Sequence, residues 1–533
     1  MFLLNERITL IKHGQQISES GMSKVDQVSE IRNFINGEWV SNGDLETVAL
    51  RNPSTGEVIS HVPMSTPEVS NQAVQAAANA YPAWRATPLP KRMDYIFKIY
   101  TAMQEGLEEL AQAIAIDQAK HIAEARGEVG RVIEIVQMAC SIPTLMQGET
   151  IQGIANNING RVIKAPLGVF CGVAPFNFPA LVFGWFIPVA IGTGNTFVYK
   201  PSTDSPLFMQ KMMQLLSDIG LPKGVVNVVH GERRVVEAWY ENDDVAGVCL
   251  VGSTPTAKAI AQGCGINGKK TMLLGGAKNF LVAMEDAPMD LLIREVLMSG
   301  YGSSGQRCLA VSNIAVVDEI YDEFIERLIA ASKEITLGDA RDPDITMGPV
   351  ISEGAKKRIL NYIDIGQKEG ANLVLDGRNP TLPDSNLAGY FVGPTIFTDV
   401  TPDMQIAKEE IFGPVLSILK VGCINSALKM ISDHDMGNGA CIFTQNTFYT
   451  EKFINEADVG MVGVNVGVCA PHPYLPFGGI KNSLVGNNKV QGKDAVDFFT
   501  QNKVATVRTI NPMDDGSIMA KNIDPSVRSC VAN

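Results

Sequence analysis

Four short segments put side chains capable of catalysis or ligand binding beside the ends of predicted strands. The first, Gly305-Gln306-Arg307-Cys308, follows a predicted helix over 291–299 and a Gly/Ser loop. A thiolate is a strong nucleophile, and a cation next to it, here Arg307, favours the ionised form. The chain has nine cysteines, and a cysteine is more often a small buried hydrophobe than a nucleophile. The second, Ala174-Pro175-Phe176-Asn177-Phe178-Pro179, stands where a strand gives way to a helix, with Pro179 suited to the first helical position. It presents the Asn177 amide at the carboxyl edge of a sheet, although a loop Asn also serves as a plain turn former. The third, Lys200-Pro201-Ser202, brings an ammonium to the same edge, where a ribose or phosphate could lie or where it is simply solvated. The fourth, Val251-Gly252-Ser253-Thr254-Pro255, leads a strand into a helix, so Ser253 and free N–H groups could meet a phosphate, or Ser253 could be an ordinary N-cap.

The elements that must hold these segments alternate. Short apolar runs predict strands over 169–174, 196–200, 225–229, 247–251 and 271–274, and helical periodicity predicts helices over 180–191, 206–219, 234–241 and 256–262. Strands alternating with helices imply βαβ units and a parallel sheet, hence an α/β fold. A second α/β region begins near 290, with strands over 313–317, 373–375, 395–397 and 415–419. Before these come an unpatterned stretch over 1–30, a hairpin around Asn36-Gly37, and helical patterning over 67–146. A late strand is expected over 504–508, with an unpatterned tail after about 510. Gly263-Cys264-Gly265-Ile266-Asn267-Gly268 fits GxGxxG, but a helix ending at 262 precedes it and a strand follows. That order is the reverse of a dinucleotide fingerprint, so the segment reads as a Gly-rich helix C-cap.

Composition narrows the partners. A net charge of -13 argues against nucleic acid, whose phosphates draw clustered Lys and Arg. No stretch reaches the roughly 20 apolar residues of a membrane span. The odd, scattered cysteines, without a CxxC pair, point to a reducing compartment and to neither a disulfide framework nor a metal site. The N-terminus resembles neither a secretory nor a transit leader, so a cytoplasmic location is expected, with the mitochondrial matrix as the alternative in a eukaryote.

Taken together with Glu409-Glu410-Ile411-Phe412-Gly413-Pro414 and Leu475-Pro476-Phe477-Gly478-Gly479, the four segments resemble the aldehyde dehydrogenase superfamily over about 34–508. The resemblance implies a Rossmann-like NAD-binding domain over 31–149 and 170–274 and a catalytic domain over 275–485. It also implies a small β oligomerisation element over 150–169 and 495–510 and assembly as a homodimer or homotetramer, leaving an extension over 1–30 and a tail over 511–533. By position, Cys308 is implied as the nucleophile and Asn177 as the oxyanion donor. Ala174, Phe176, Lys200, Thr203, Ser253, Glu410 and Phe412 are implied to hold NAD. Thr203 stands where the family usually has a ribose-binding Glu, which leaves the choice between NAD and NADP open.

Hydrolytic members carry a Glu that activates the deacylating water; here the segment reads Leu273-Leu274-Gly275-Gly276. Leu273 cannot accept a proton, so a thiol such as coenzyme A is implied as the acyl acceptor. The wording is similar to that of methylmalonate-semialdehyde dehydrogenases, which acylate coenzyme A. In that family two arginines hold the carboxylate of the aldehyde, and they match Arg131 and Arg307; without the resemblance, Arg131 would read as a helix-surface partner of Glu128 or Glu134. The segment 466–473 departs from the family's wording, and His472 could alter substrate choice or be a plain loop residue. Two other readings stay open: a dehydrogenase for another aldehyde with hydrolytic release through a different Glu, and a non-catalytic descendant.

Overall fold

The computed structural model describes residues 30–383 and 387–510; the expected N-terminal extension, apart from residue 30, and the tail lie outside them. Two sheets organise the chain. The first has eight strands, with Val226–Val228, Thr196–Lys200, Val169–Val173, Val245–Val251 and Lys270–Leu274 adjacent in that order and all parallel. The strand order reverses between Val169–Val173 and Val245–Val251, which opens a crevice at their carboxyl ends. The Asn33–Ile35/Glu38–Val40 hairpin closes one edge, and the two-residue strand Leu484–Val485 closes the other.

The second sheet has seven strands, six of them parallel, built around Asn279–Ala283 and Val311–Val317. Of the four helices from Pro67–Ala86 to Ile122–Ala139 that precede it in the chain, the first packs directly on the first sheet, and the other three form a helical layer. Between that layer and the first sheet lies Pro179–Thr193, buried at every position except Leu181. A helix apolar all round must be enclosed. It ends at Gly194, whose φ of 103° and tight approach to the Arg92 guanidinium, 3.2 Å from where a Cβ would stand, favour glycine.

Two boundaries differ from expectation. The helix expected to stop at 262 runs from Thr254 to Ile266, so Gly263 and Gly265 are helical, and the Gly-rich C-cap is completed by Gly268, whose φ of 64° lets the Lys269 N–H reach the Cys264 carbonyl at 3.0 Å. Gly263 is there because a Cβ would fall 2.4 Å from the Tyr240 ring. The late strand begins earlier, at Thr500, and pairs with Ile158–Pro166, itself paired with Thr150–Ala155, as a separate three-stranded sheet. Among the described residues no helix is long and apolar enough to cross a membrane.

Candidate active site

Cys308 follows a one-turn helix, Gly302–Gly305, in which Ser303, Ser304 and Gly305 all have left-handed φ, at 51°, 55° and 71°. Non-glycine residues adopt that region only when their surroundings hold them there. Here the Ser304 hydroxyl donates to the Gly348 and Pro349 carbonyls at 2.6 and 3.1 Å. A Cβ on Gly305 would stand 2.2 Å from the Gly413 carbonyl, so the loop packs directly on the segment that carries Glu410 and Phe412. The Cys308 carbonyl accepts from Asn279 and Asn438 at 3.0 and 2.9 Å. The thiol is thereby placed from three sides.

A cavity of about 410 Å³ opens beside Cys308, walled by Arg131, Phe178, Trp185, Arg307 and Phe477. Cys308, Arg131 and Arg307, far apart in sequence, thus share one space. Arg307 Nη2 pairs with Glu124, and its Nη1 donates to the Met298 carbonyl at 3.1 Å. Arg131 pairs with Glu134 at 2.6 Å and donates to the Pro471 carbonyl. The surface-pair reading of Arg131 therefore holds for Glu134, while the same side chain also faces the cavity. Each guanidinium keeps N–H donors beyond these bonds.

The electropositive setting expected from Arg307 is not what governs the thiol. Burial pushes the Cys308 thiol up to about 12, with the Glu410 carboxylate adding to the rise. Arg307 is neutralised by Glu124, and desolvation wins.

The candidate cofactor residues lie outside the cavity, around the crevice of the first sheet. Ala174 donates its N–H to the Lys200 carbonyl at 3.0 Å. Lys200 is buried and donates to the Pro201 and Gly231 carbonyls at 3.0 and 2.9 Å, and burial lowers its ammonium to about 8. Thr203 is half-buried in the loop after it. Ser253 caps the helix that follows it, accepting from the Thr256 N–H at 3.4 Å, so the N-cap reading applies, yet it is exposed at the mouth of the crevice. Phe176 and Phe412 meet edge to face, with ring centroids 5.8 Å apart. Glu410 accepts from the Ala277 N–H at 3.0 Å and is pushed up to about 7 by burial. An exposed helix N-terminus, a lysine at a strand end, a carboxylate and an aromatic pair are the groups that suit the phosphate, ribose and ring of a dinucleotide.

Asn177 is 4% exposed, and among the described residues its side-chain amide has no hydrogen-bond partner. Leu273 is wholly buried in the core beneath the sheet, so no acid stands at that position. His472 is exposed and stacks on Tyr474, and it is Val468, Ala470 and Pro471 of that segment that line the cavity. Lys120, Glu124 and Glu128, all on the cavity wall, were missed by the sequence reading. One signal was available: Glu124, Glu128 and Arg131 recur at helical spacing on one face of Ile122–Ala139.

Comparison with known proteins gives the family of the fold that carries this site. The pattern of the aldehyde dehydrogenase family matches residues 39–505. Malonate-semialdehyde dehydrogenase 1 of Geobacillus thermodenitrificans is 43% identical, covering 90% of this chain and 99% of its own. The malonate-semialdehyde dehydrogenase of Halalkalibacterium halodurans is 41% identical over 91% of this chain and all of its own. Among solved structures, the methylmalonate-semialdehyde dehydrogenase DddC of Oceanimonas doudoroffii superposes with a TM-score of 0.89 at 38% identity, covering 91% of this chain and 99% of that one. A Sinorhizobium meliloti protein assigned to the same activity and solved with NAD also reaches 0.89, at 36% identity over 90% and 98% of the two chains. With the family pattern spanning nearly the whole described fold, the chain belongs to the aldehyde dehydrogenase family.

Proposed function

We propose that the chain oxidises methylmalonate semialdehyde or malonate semialdehyde with NAD and transfers the acyl group to coenzyme A. One observation carries this reading: Cys308 shares its cavity with two arginines, while position 273 holds a core leucine in place of a base. The Cys308 thiolate attacks the aldehyde carbon, and the oxyanion is met by the Asn177 amide and the Cys308 N–H. Arg131 and Arg307 orient the distal carboxylate. NAD, when bound, supplies the hydride acceptor; Lys200, Ser253, Glu410 and Phe412 hold it, with Ala174, Phe176 and Thr203 around it. The bond to the distal carboxylate then breaks, its electron pair passing into the thioester carbonyl of acyl-Cys308 and a proton being taken up at the α-carbon, as carbon dioxide leaves, free or hydrated to bicarbonate; the thiol of coenzyme A then attacks and expels the Cys308 thiolate to give propanoyl-CoA or acetyl-CoA.

The two carboxylates on the cavity wall, Glu124 and Glu128, are committed to fixed partners and are poor candidates for a water-activating base. Glu410, a carboxylate pushed up to about 7 whose charge is felt at the Cys308 thiol, favours a second reading, hydrolytic release to the free acid. NADH formation and product identity, with and without coenzyme A, separate the two. Sustained turnover to free acid without coenzyme A overturns the acylating reading. A Cys308→Ala variant trapping no acyl group in intact-mass spectra supports the thioacyl route.

Assembly is part of the proposal. The three-stranded sheet leaves Ile151, Ile154 and Val504 exposed, which suits burial against further copies of the chain in a dimer or tetramer.

A further inference from the structure

Lys120 and Glu128 form an ion pair in which each side chain is only 1% exposed. Burying two charges is expensive, and such a pair adds little stability compared with apolar residues of the same volume. What distinguishes this one is where its remaining hydrogen bonds go. Lys120 Nζ also donates to the main-chain carbonyl of Asn177 at 2.6 Å and lies 3.9 Å from the centroid of the Phe178 ring. The other oxygen of Glu128 accepts the N–H groups of Ala180 and Leu181 at 2.9 and 3.0 Å. The segment from 177 to 181 is therefore held at both ends, its carbonyl by the cation and its free helix N–H groups by the anion. Pro179 has no N–H to contribute, so these contacts are the ones available there. The Asn177 amide, which has no hydrogen bond of its own to fix it, takes its direction from this strap.

We propose that Lys120 and Glu128 are positioning residues that aim the Asn177 amide at the oxyanion, acting on the acylation step and not on substrate binding. The proposal rests on the reading of Asn177 as the oxyanion donor. A misplacement of about 1 Å at such a donor slows the step by roughly 10- to 100-fold.

The test is the pre-steady-state burst of NADH with methylmalonate semialdehyde, NAD and the full-length chain. The double variant Lys120→Met/Glu128→Gln removes both charges and leaves none buried alone. It is expected to slow the burst roughly 10- to 100-fold while KM stays within about threefold. In an Asn177→Ala background the same two substitutions are expected to change the burst by no more than about twofold, because the group they aim is gone. Lys120→Arg keeps the pair with Glu128 but not the short bond to the Asn177 carbonyl, and it should show the same slow burst should the double variant not fold. An unchanged burst, or an equal loss in both backgrounds, overturns the proposal. If Asn177→Ala itself leaves the burst at the wild-type rate, the oxyanion reading falls first, and the two failures are thereby told apart.

Discussion

Arg307 and Glu124 tie the catalytic loop to the helical layer: Arg307 Nη2 pairs with the Glu124 carboxylate, which also accepts the Ser303 N–H at 3.0 and 3.2 Å from its two oxygens. The same carboxylate thus offsets the charge beside Cys308 and holds the left-handed turn before it. In this arrangement Arg307 serves the cavity, with its unused donors, more than it serves the thiol.

Arg307→Leu should therefore damage recognition of an anionic aldehyde and spare a neutral one. A charge-assisted hydrogen bond contributes about 1.5 to 3 kcal/mol, so KM for methylmalonate semialdehyde is expected to rise roughly 10- to 100-fold. KM for propanal should stay within about threefold. Steady-state kinetics with the two substrates checks this, and an equal rise for both would remove the carboxylate-binding role.

The neutral thiol has its own signature. With burial holding Cys308 up to about 12, the thiolate fraction of the cofactor-free enzyme grows about tenfold per pH unit well past the ordinary thiol range of about 8.5. Iodoacetamide labelling of Cys308, followed by peptide mapping, should still be climbing between pH 9 and 10.5. A plateau near 8.5 would mean that the surroundings stabilise the thiolate after all.

Lys278 is a buried amine whose Nζ has no hydrogen-bond partner among the described residues, and burial lowers it from 10.5 to about 7 against the pull of Glu410 and Glu409. The unfolded chain binds the proton more tightly than the folded one, so the wild type loses stability as pH falls from 10.5 towards 7. Lys278→Met should raise stability by about 1 to 3 kcal/mol at pH 6 and by less at pH 10, read as the shift in Tm at each pH. A gain that grows with pH would contradict this sign.

The exposed apolar residues of the three-stranded sheet make assembly testable. Ile151→Lys combined with Val504→Lys places charge on positions that are 61% and 70% exposed in one chain. A monomer sedimenting with unchanged secondary structure is the expected result. Retention of the wild-type assembly would place the interface elsewhere.

Much of this site could be read from the chain itself because strand ends are local events. The run Thr196–Lys200 is apolar and β-branched enough to give both of its boundaries, which put Lys200 at the carboxyl edge. The same reasoning rightly read 263–268 as a helix end capped by glycine, at Gly268, but placed that end too early, because the helix propagates through Gly263 and Gly265 with Gly263 packed against Tyr240. It also took Arg307 for the activator of the thiol, because a neighbour in sequence is visible and Glu124, 183 positions away, is not.

Residue types and their order determined the α/β alternation, the Cys308 nucleophile candidate, the absence of an acid at 273 and the family resemblance, since each depends on local pattern or on motif spacing. Tertiary structure alone decided which charges meet. It paired Arg307 with Glu124 and Lys120 with Glu128, and it set Cys308 half-buried on the cavity wall, where desolvation outweighs an adjacent guanidinium. Electrostatic energy depends on distance and on exclusion of water, and neither quantity exists until the chain has folded.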